Sequence, residues 1–191
     1  MTKTKNLHYY DTNASDYHER NKDLALEEFY SLFMEELTGD RILDLGCGTG
    51  RDAAYFSQEG LEVVGIDFSS GMLEEASKNA PEAEFHHMSM TDDLEPLGRF
   101  NGIWAMASTL HLSKEEMKDL LLSLKESLHE DSPVFISIKE KDIKERIERD
   151  FTYWKAREFE ETFREAGWEQ MHFSKSETEK SIFLNFLLVE A

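Results

Sequence analysis

Cysteine is nearly absent from this chain: Cys47 stands alone among 191 residues, beside only three prolines. A lone cysteine excludes an internal disulfide and a cysteine-based zinc site. No proline-rich tract, repeat or low-complexity stretch marks a domain boundary. No run of eighteen apolar residues occurs that would read as a membrane span, and the opening MTKTKNLHYYD is too polar for a secretory signal. Positive charge is also scarce, with 21 Lys and Arg against 40 Asp and Glu, a formal net charge of −19. A field this acidic opposes the basic footprint that nucleic acids and anionic membranes require. The expectation is a single cytoplasmic domain, 1–191, acting on small molecules, with no nucleic acid, membrane or metal partner and an open oligomeric state.

What is present is an alternation of two periods. Apolar spacing of three and four over 24–37 predicts an amphipathic helix. RILDL, EVVGID, AEFHHM, FNGIWAM and SPVFISIKE read as strands. Helical patterns separate them at RDAAYFSQEG, SSGMLEEASKNA and SKEEMKDLLLSLKESL; the second offers Ser69 or Ser70 as N-cap, and the third has Ser113 and Glu116 at capping-box spacing. AREFEETFREAG predicts a last helix before two strands, WEQMHFSKSE and KSIFLNFLLVEA, close enough in sequence to form a hairpin. Strands alternating with helices give an α/β fold with a parallel sheet. In such sheets ligands bind beyond the carboxyl ends of the strands.

RILDLGCGTGRDAAYF places Gly46, Gly48 and Gly50 between a strand and a helix. Glycine admits positive φ and lets a ligand approach the backbone, and the following helix start carries unpaired N–H groups; a tight turn without a ligand is the plainer alternative. Asp67, ending the second strand, is placed to accept both hydroxyls of a ribose. A dinucleotide fingerprint would want a third glycine where Arg51 stands, and the Gly-Lys-Ser/Thr of a P-loop is missing. Asp44 would repel a pyrophosphate but suit an ammonium group. Together these features favour a zwitterionic adenosine compound over NAD.

ILDLGCGTG and VVGIDFSSGMLEEA resemble the first two motifs of the class I S-adenosylmethionine-dependent methyltransferases. FNGIWAMASTLHL, YYDTNASDYHERNKDL and REAGWE extend the resemblance, to a small-molecule subgroup, over nearly the whole chain. It implies a Rossmann-like, doubly wound, mostly parallel seven-stranded sheet with a C-terminal antiparallel hairpin, an N-terminal helical cap over 1–38, and S-adenosyl-L-methionine as cofactor. On that resemblance Gly46, Cys47, Gly48 and Gly50 wrap the methionine part, with Asp44 and the carbonyl of Ala105 near its ammonium and Arg51 on its carboxylate. Asp67 takes the ribose, Phe68 and Met72 flank the adenine, and Met90 offers it a main-chain N–H. Tyr10 or Tyr17 closes over the ligand. Ser89 stands where the family often has an acid, and Asn101 where it usually has Asp; Asn101 reads as structural. A non-catalytic binding module and a small NAD-binding oxidoreductase remain as alternatives.

Methyl transfer needs positioning above all, and a base only if the nucleophile arrives protonated. His111, just after the fourth strand, is the candidate base or, equally, a histidine that orients the loop. His86 and His87 alternate along a strand and so face opposite ways. Lys139 to Glu158 holds seven basic and six acidic side chains, either an ordinary charged helix or a lid for an anionic substrate. Within it, Ile143, Ile147 and Phe151 recur every four residues, predicting a lid helix over 140–154. Tyr153 and Trp154 would line the acceptor pocket or simply pack.

Overall fold

The computed structural model describes residues 2–143 and 149–191. A seven-stranded sheet runs through the chain in the order β3-β2-β1-β4-β5-β7-β6. Its strands are β1 (Arg41–Leu45), β2 (Glu62–Asp67), β3 (Glu84–His87), β4 (Gly102–Ala105), β5 (Val134–Asp142), β6 (Trp168–Glu177) and β7 (Ser181–Glu190). The pairs among β1 to β5 are parallel, while β7 runs antiparallel to both β5 and β6. The terminal hairpin therefore extends the sheet at its β5 side, and the expected Rossmann-like architecture is present.

The central strands are buried on both faces, as parallel strands covered by helices must be. Leu43, Leu45, Ile103 and Ile136 face one core with Phe159 and Phe163 of α6 (Ala156–Glu165) and Leu121 of α5 (Lys114–Ser123). Their neighbours Ile42, Trp104 and Phe135 face the other core, with Tyr30 and Phe33 of α2 (Glu27–Glu35) and Phe56 of α3 (Arg51–Gln58). There Trp104 stacks on Phe135 with ring centroids 4.2 Å apart.

Local sequence signals set the helix ends. Ser69 Oγ accepts from Met72 N at the start of α4 (Ser70–Asn79). Ser113 and Glu116 form both bonds of a capping box on α5. The N-terminal α1 (Thr2–Asn21) is kinked at Asn13, where φ is −123°. It packs so tightly on α4 that a Cβ on Gly71 would meet the Asp11 carbonyl oxygen at 2.7 Å. Asp11 Oδ1 in turn accepts from Ser69 Oγ at 2.6 Å and Gly71 N at 3.2 Å. Asn101 ties the start of β4 to Arg41, far from the strand's carboxyl end.

The lid helix is corrected in part. Residues 144–148 lie outside the described residues, and Arg149–Lys155 contains no helical turn, with Tyr153 bridged to Lys139 of β5 instead. The buried Lys139 holds Asp142 at 2.6 Å, and Asp142 also accepts from the Tyr153 hydroxyl at 2.7 Å. That anchor keeps the described part of the segment extended against the strand. No helix of the described residues is long and apolar enough to cross a membrane.

Candidate active site

A cavity of about 320 Å³ lies where β1, β2 and β4 end, at the point where the sheet order reverses. Its floor is the glycine loop. The Gly46 and Cys47 amides both donate to Ile66 O at 2.9 Å, tying the loop to β2. Gly46 has φ +77°, and a Cβ there would come 2.6 Å from Ser108 Cβ. Gly48 has φ +54° and lines the cavity, where a Cβ would meet no atom within 4 Å. Gly50 does not line the cavity: its φ is +76°, and a Cβ would sit 2.9 Å from Ala76 Cα. Its bareness serves the packing of α3 against α4.

Three buried acids stand beside the loop. Asp67 lines the cavity, with Oδ2 accepting from Gly48 N at 3.0 Å and Oδ1 from Ser69 N at 2.9 Å. Burial pushes its carboxyl up to about 6, against those two hydrogen bonds. Each oxygen retains a lone pair for a ligand hydroxyl. Asp52 accepts from Tyr30 Oη at 2.5 Å and Trp104 Nε1 at 2.9 Å, and holds Arg51 bidentately at 2.6 and 2.9 Å. Arg51 lines the cavity while its guanidinium is also held by Asp52 and donates to Asn21 O at 3.3 Å. Asp44 is buried behind the loop; burial and then the Asp52 charge raise its carboxyl well above the usual range. Its Oδ2 has no hydrogen-bond partner among the described residues.

Phe68, Met72, Ser89 and Met90 line the next part of the cavity, and Cys47 lies in its floor. Ser89 is held in its turn, with its amide donating to Asp92 Oδ2 at 2.8 Å. Ala105 is fully buried and not on the cavity wall; Met106, Ala107 and Ser108 after it are. Ala107 turns the chain there with φ +51°.

The roof comes from α1 and the segment after β5. Asn6, Tyr10, Tyr17 and Asn21 line the cavity, and their spacing puts them on one helical face. His111 lines it too, with both ring nitrogens engaged. The Asp150 carbonyl, 2.6 Å from Nδ1, can only accept, so Nδ1 carries the proton and Nε2 is bare. Tyr10 Oη, 2.8 Å from Nε2, therefore donates to it. Asn6 Nδ2 lies 3.0 Å from Nδ1 and donates to Asp150 O at 3.3 Å, while Asn6 Oδ1 accepts from Asp150 N at 3.1 Å. Arg149 Nη1 donates to Tyr10 Oη at 2.9 Å. Burial lowers the His111 imidazole to about 4 and raises the Tyr10 phenol, so both are neutral at pH 7.

Tyr153 and Trp154 do not line the cavity. Trp154 is buried in the core against Phe159, with ring centroids 5.2 Å apart, and Tyr153 is 42% exposed. Asn6, Asn21, Asp52, Met88 and Met106–Ser108 are among the lining residues that the sequence reading did not name. Position just beyond a strand end was the signal for Met88 and Met106–Ser108, and helical spacing for Asn6 and Asn21.

Residues 42–131 match the family described as a methyltransferase domain. That match takes in the glycine loop, Asp67 and His111. The magnesium-protoporphyrin O-methyltransferase of Rhodobacter capsulatus is 30% identical over 113 residues, 56% of this chain and 50% of that protein. The chain thus spans about half the length of the curated relative it matches. The magnesium protoporphyrin IX methyltransferase of Synechocystis with bound SAM superposes with a TM-score of 0.76 at 17% identity, over 98% of this chain and 97% of that one. A TehB-like SAM-dependent methyltransferase from Corynebacterium glutamicum gives 0.74 at 21% identity, over 94% and 99%. At these identities the structures establish the shared fold.

Proposed function

We propose that the protein is an S-adenosylmethionine-dependent methyltransferase whose acceptor is a small molecule. The observation that carries this reading is the pairing of Asp67 with the glycine loop on the cavity wall at the carboxyl end of the sheet, with the unpartnered Asp44 Oδ2 buried behind the loop. An orphaned buried acceptor beside the loop suits a ligand ammonium group, and Asp67 suits two ribose hydroxyls. Phe68, Met72 and Met90 offer apolar walls for adenine, while the open space at Gly48 suits the amino-acid end of the ligand. The names of the relatives, which act on porphyrin, quinone and sugar acceptors, support a small-molecule substrate.

S-adenosylmethionine, when bound, supplies a methyl group on a positively charged sulfur that a nucleophile displaces in line. The chain's own contribution is positional. The glycine loop and Asp67 fix the ligand, Tyr17 covers it, Tyr10 stands on the acceptor side, and the apolar lining excludes water. His111 is neutral and presents Nε2 to the Tyr10 hydroxyl, so its route to an acceptor proton passes through Tyr10.

Calorimetric titration of cofactor-stripped protein with S-adenosylhomocysteine, S-adenosylmethionine and NAD tests the reading. Binding of the first two, lost in Asp67→Ala, is the expected result. Heat from NAD alone, with the fold intact, would return the oxidoreductase reading.

A further inference from the structure

Tyr10 has a fixed hydrogen-bond polarity. The Asp150 carbonyl holds the proton on His111 Nδ1, and bare Nε2 then takes the Tyr10 proton. The phenolic oxygen is left with two lone pairs. One receives Arg149 Nη1 at 2.9 Å, and the other has no donor among the described residues. Tyr10 lines the cavity, and its oxygen meets a ligand there only as an acceptor.

Three further contacts hold that polarity. Asn6 clamps both the amide and the carbonyl of Asp150. Phe151 stacks on His111 with ring centroids 5.1 Å apart and an interplanar angle of 26°. The Arg149 guanidinium lies 4.7 Å from the Tyr9 ring centroid and 5.5 Å from that of Tyr10. Turning the phenol round would require the imidazole to change tautomer and lose Asp150. A buried carbonyl without its donor costs about 1–3 kcal/mol.

The charge of the lining narrows the ligand further. Its only cation among the described residues is Arg51, already held bidentately by Asp52. Asp52 and Asp67 are acidic, and Leu7, Met88, Met106 and Leu112 are apolar. Among the described residues, an anionic acceptor would find no uncommitted positive group in that wall. Arg149 is itself spent on Tyr10 and its ring neighbours.

We infer that the acceptor is an uncharged, largely apolar molecule that reaches the site with an O–H or N–H group donating to Tyr10 Oη. The inference rests on the methyl-transfer reading and specifies its acceptor. Tyr10 is the residue that touches the acceptor, and His111 is a positioning residue that acts through it.

Phenol and anisole are suitable probes, the same ring with and without the O–H donor. Both are titrated by ligand-detected NMR into protein saturated with S-adenosylhomocysteine, for wild type and Tyr10→Phe. Loss of one hydrogen bond should weaken phenol roughly 2- to 12-fold in the variant and leave anisole unchanged. Equal changes for both probes, no change for phenol, or no measurable phenol binding to wild type would overturn the inference. A second measurement needs no folded variant at Tyr10: ¹⁵N-histidine spectra of wild type, with His111 assigned by the signal missing from His111→Gln. A proton on Nδ1 at pH 7 is expected, and a proton on Nε2 would overturn the assigned polarity. Calorimetry on the same samples separates the two readings. Wild type that fails to bind S-adenosylhomocysteine refutes the cofactor, whereas retained binding with equal probe shifts refutes only the acceptor's donor group.

Discussion

Gly48 and Gly50 both adopt positive φ, yet alanine at each should damage a different property. An L-residue in the left-handed region costs about 1–2 kcal/mol. At Gly48 nothing else is disturbed, because the new methyl meets no protein atom within 4 Å. A loss of about 1 kcal/mol lowers Tm by about 2–4 °C in a chain of this length. The methyl instead occupies cavity space, and overpacking of about 1–3 kcal/mol weakens S-adenosylhomocysteine roughly 5- to 150-fold. At Gly50 the methyl would press on Ala76 Cα at 2.9 Å and on its Cβ and O at 3.1 Å, inside a buried helix contact. Strain and overlap together come to about 2–4 kcal/mol, so Tm falls by about 4–16 °C. Below that lowered Tm, affinity for S-adenosylhomocysteine should stay near wild type. Thermal denaturation and calorimetry on the two variants read both quantities. Wild-type affinity in Gly48→Ala, or a smaller Tm loss in Gly50→Ala than in Gly48→Ala, would refute the division between loop and packing.

Removing the Asp52 carboxylate should be among the most damaging single changes. Asp52→Ala leaves Arg51, the Tyr30 hydroxyl and the Trp104 indole N–H without their shared acceptor, at about 3–5 kcal/mol by urea denaturation. A loss below about 1 kcal/mol would mean that the network is dispensable. Asp67→Ala should abolish detectable S-adenosylhomocysteine binding while the far-UV spectrum stays native. For His111 the sign follows from burial. The unfolded imidazole takes a proton near 6.5 and the folded one only near about 4, so stability from the neutral form is complete above 6.5 and lost as pH falls through about 4. Asp67 works in the opposite sense, because its folded carboxyl is raised. The stability difference between wild type and His111→Gln isolates the histidine and should shrink by up to about 3 kcal/mol between pH 6.5 and pH 4. A difference independent of pH would show His111 to be solvated.

Strands with both periodicity and punctuation were legible. RILDL and EVVGID coincide with β1 and β2, because apolar runs there end beside glycines or acids that the fold also uses as ends, and WEQMHFSKSE coincides with β6. The loop, Asp67, Phe68, Met72 and Met90 came with them, since each is local to a strand end. The failures concern direction. Tyr153 and Trp154 follow the segment after β5, but nothing in a linear pattern shows that Tyr153 would bridge back to Lys139, leaving Trp154 in the core. Ile143, Ile147 and Phe151 share helical spacing, yet Phe151 serves as a stacking partner for His111 in extended chain. Arg51, placed near the ligand carboxylate by the resemblance, is on the cavity wall, and its ion pair with the adjacent Asp52 on the same helix was not anticipated. Asn6 and Asp150 are 144 residues apart, and only tertiary structure brings them together.

The cavity draws on two sources of sequence. The stretch matching the family, 42–131, supplies the loop, Asp67, the methionines and His111. Asn6, Tyr10 and Tyr17 of the roof, with Arg149 and Asp150 that brace it, all come from outside it. Substitutions in the roof can then retune ligand choice while the floor keeps its grip, much as exchangeable jaws fit one vice. Positions 6, 10 and 149 are accordingly the ones to randomise in a library seeking new acceptors. A graft of the roof onto another protein's floor would need both of its segments, since α1 and the 149–151 segment hold each other through Asn6.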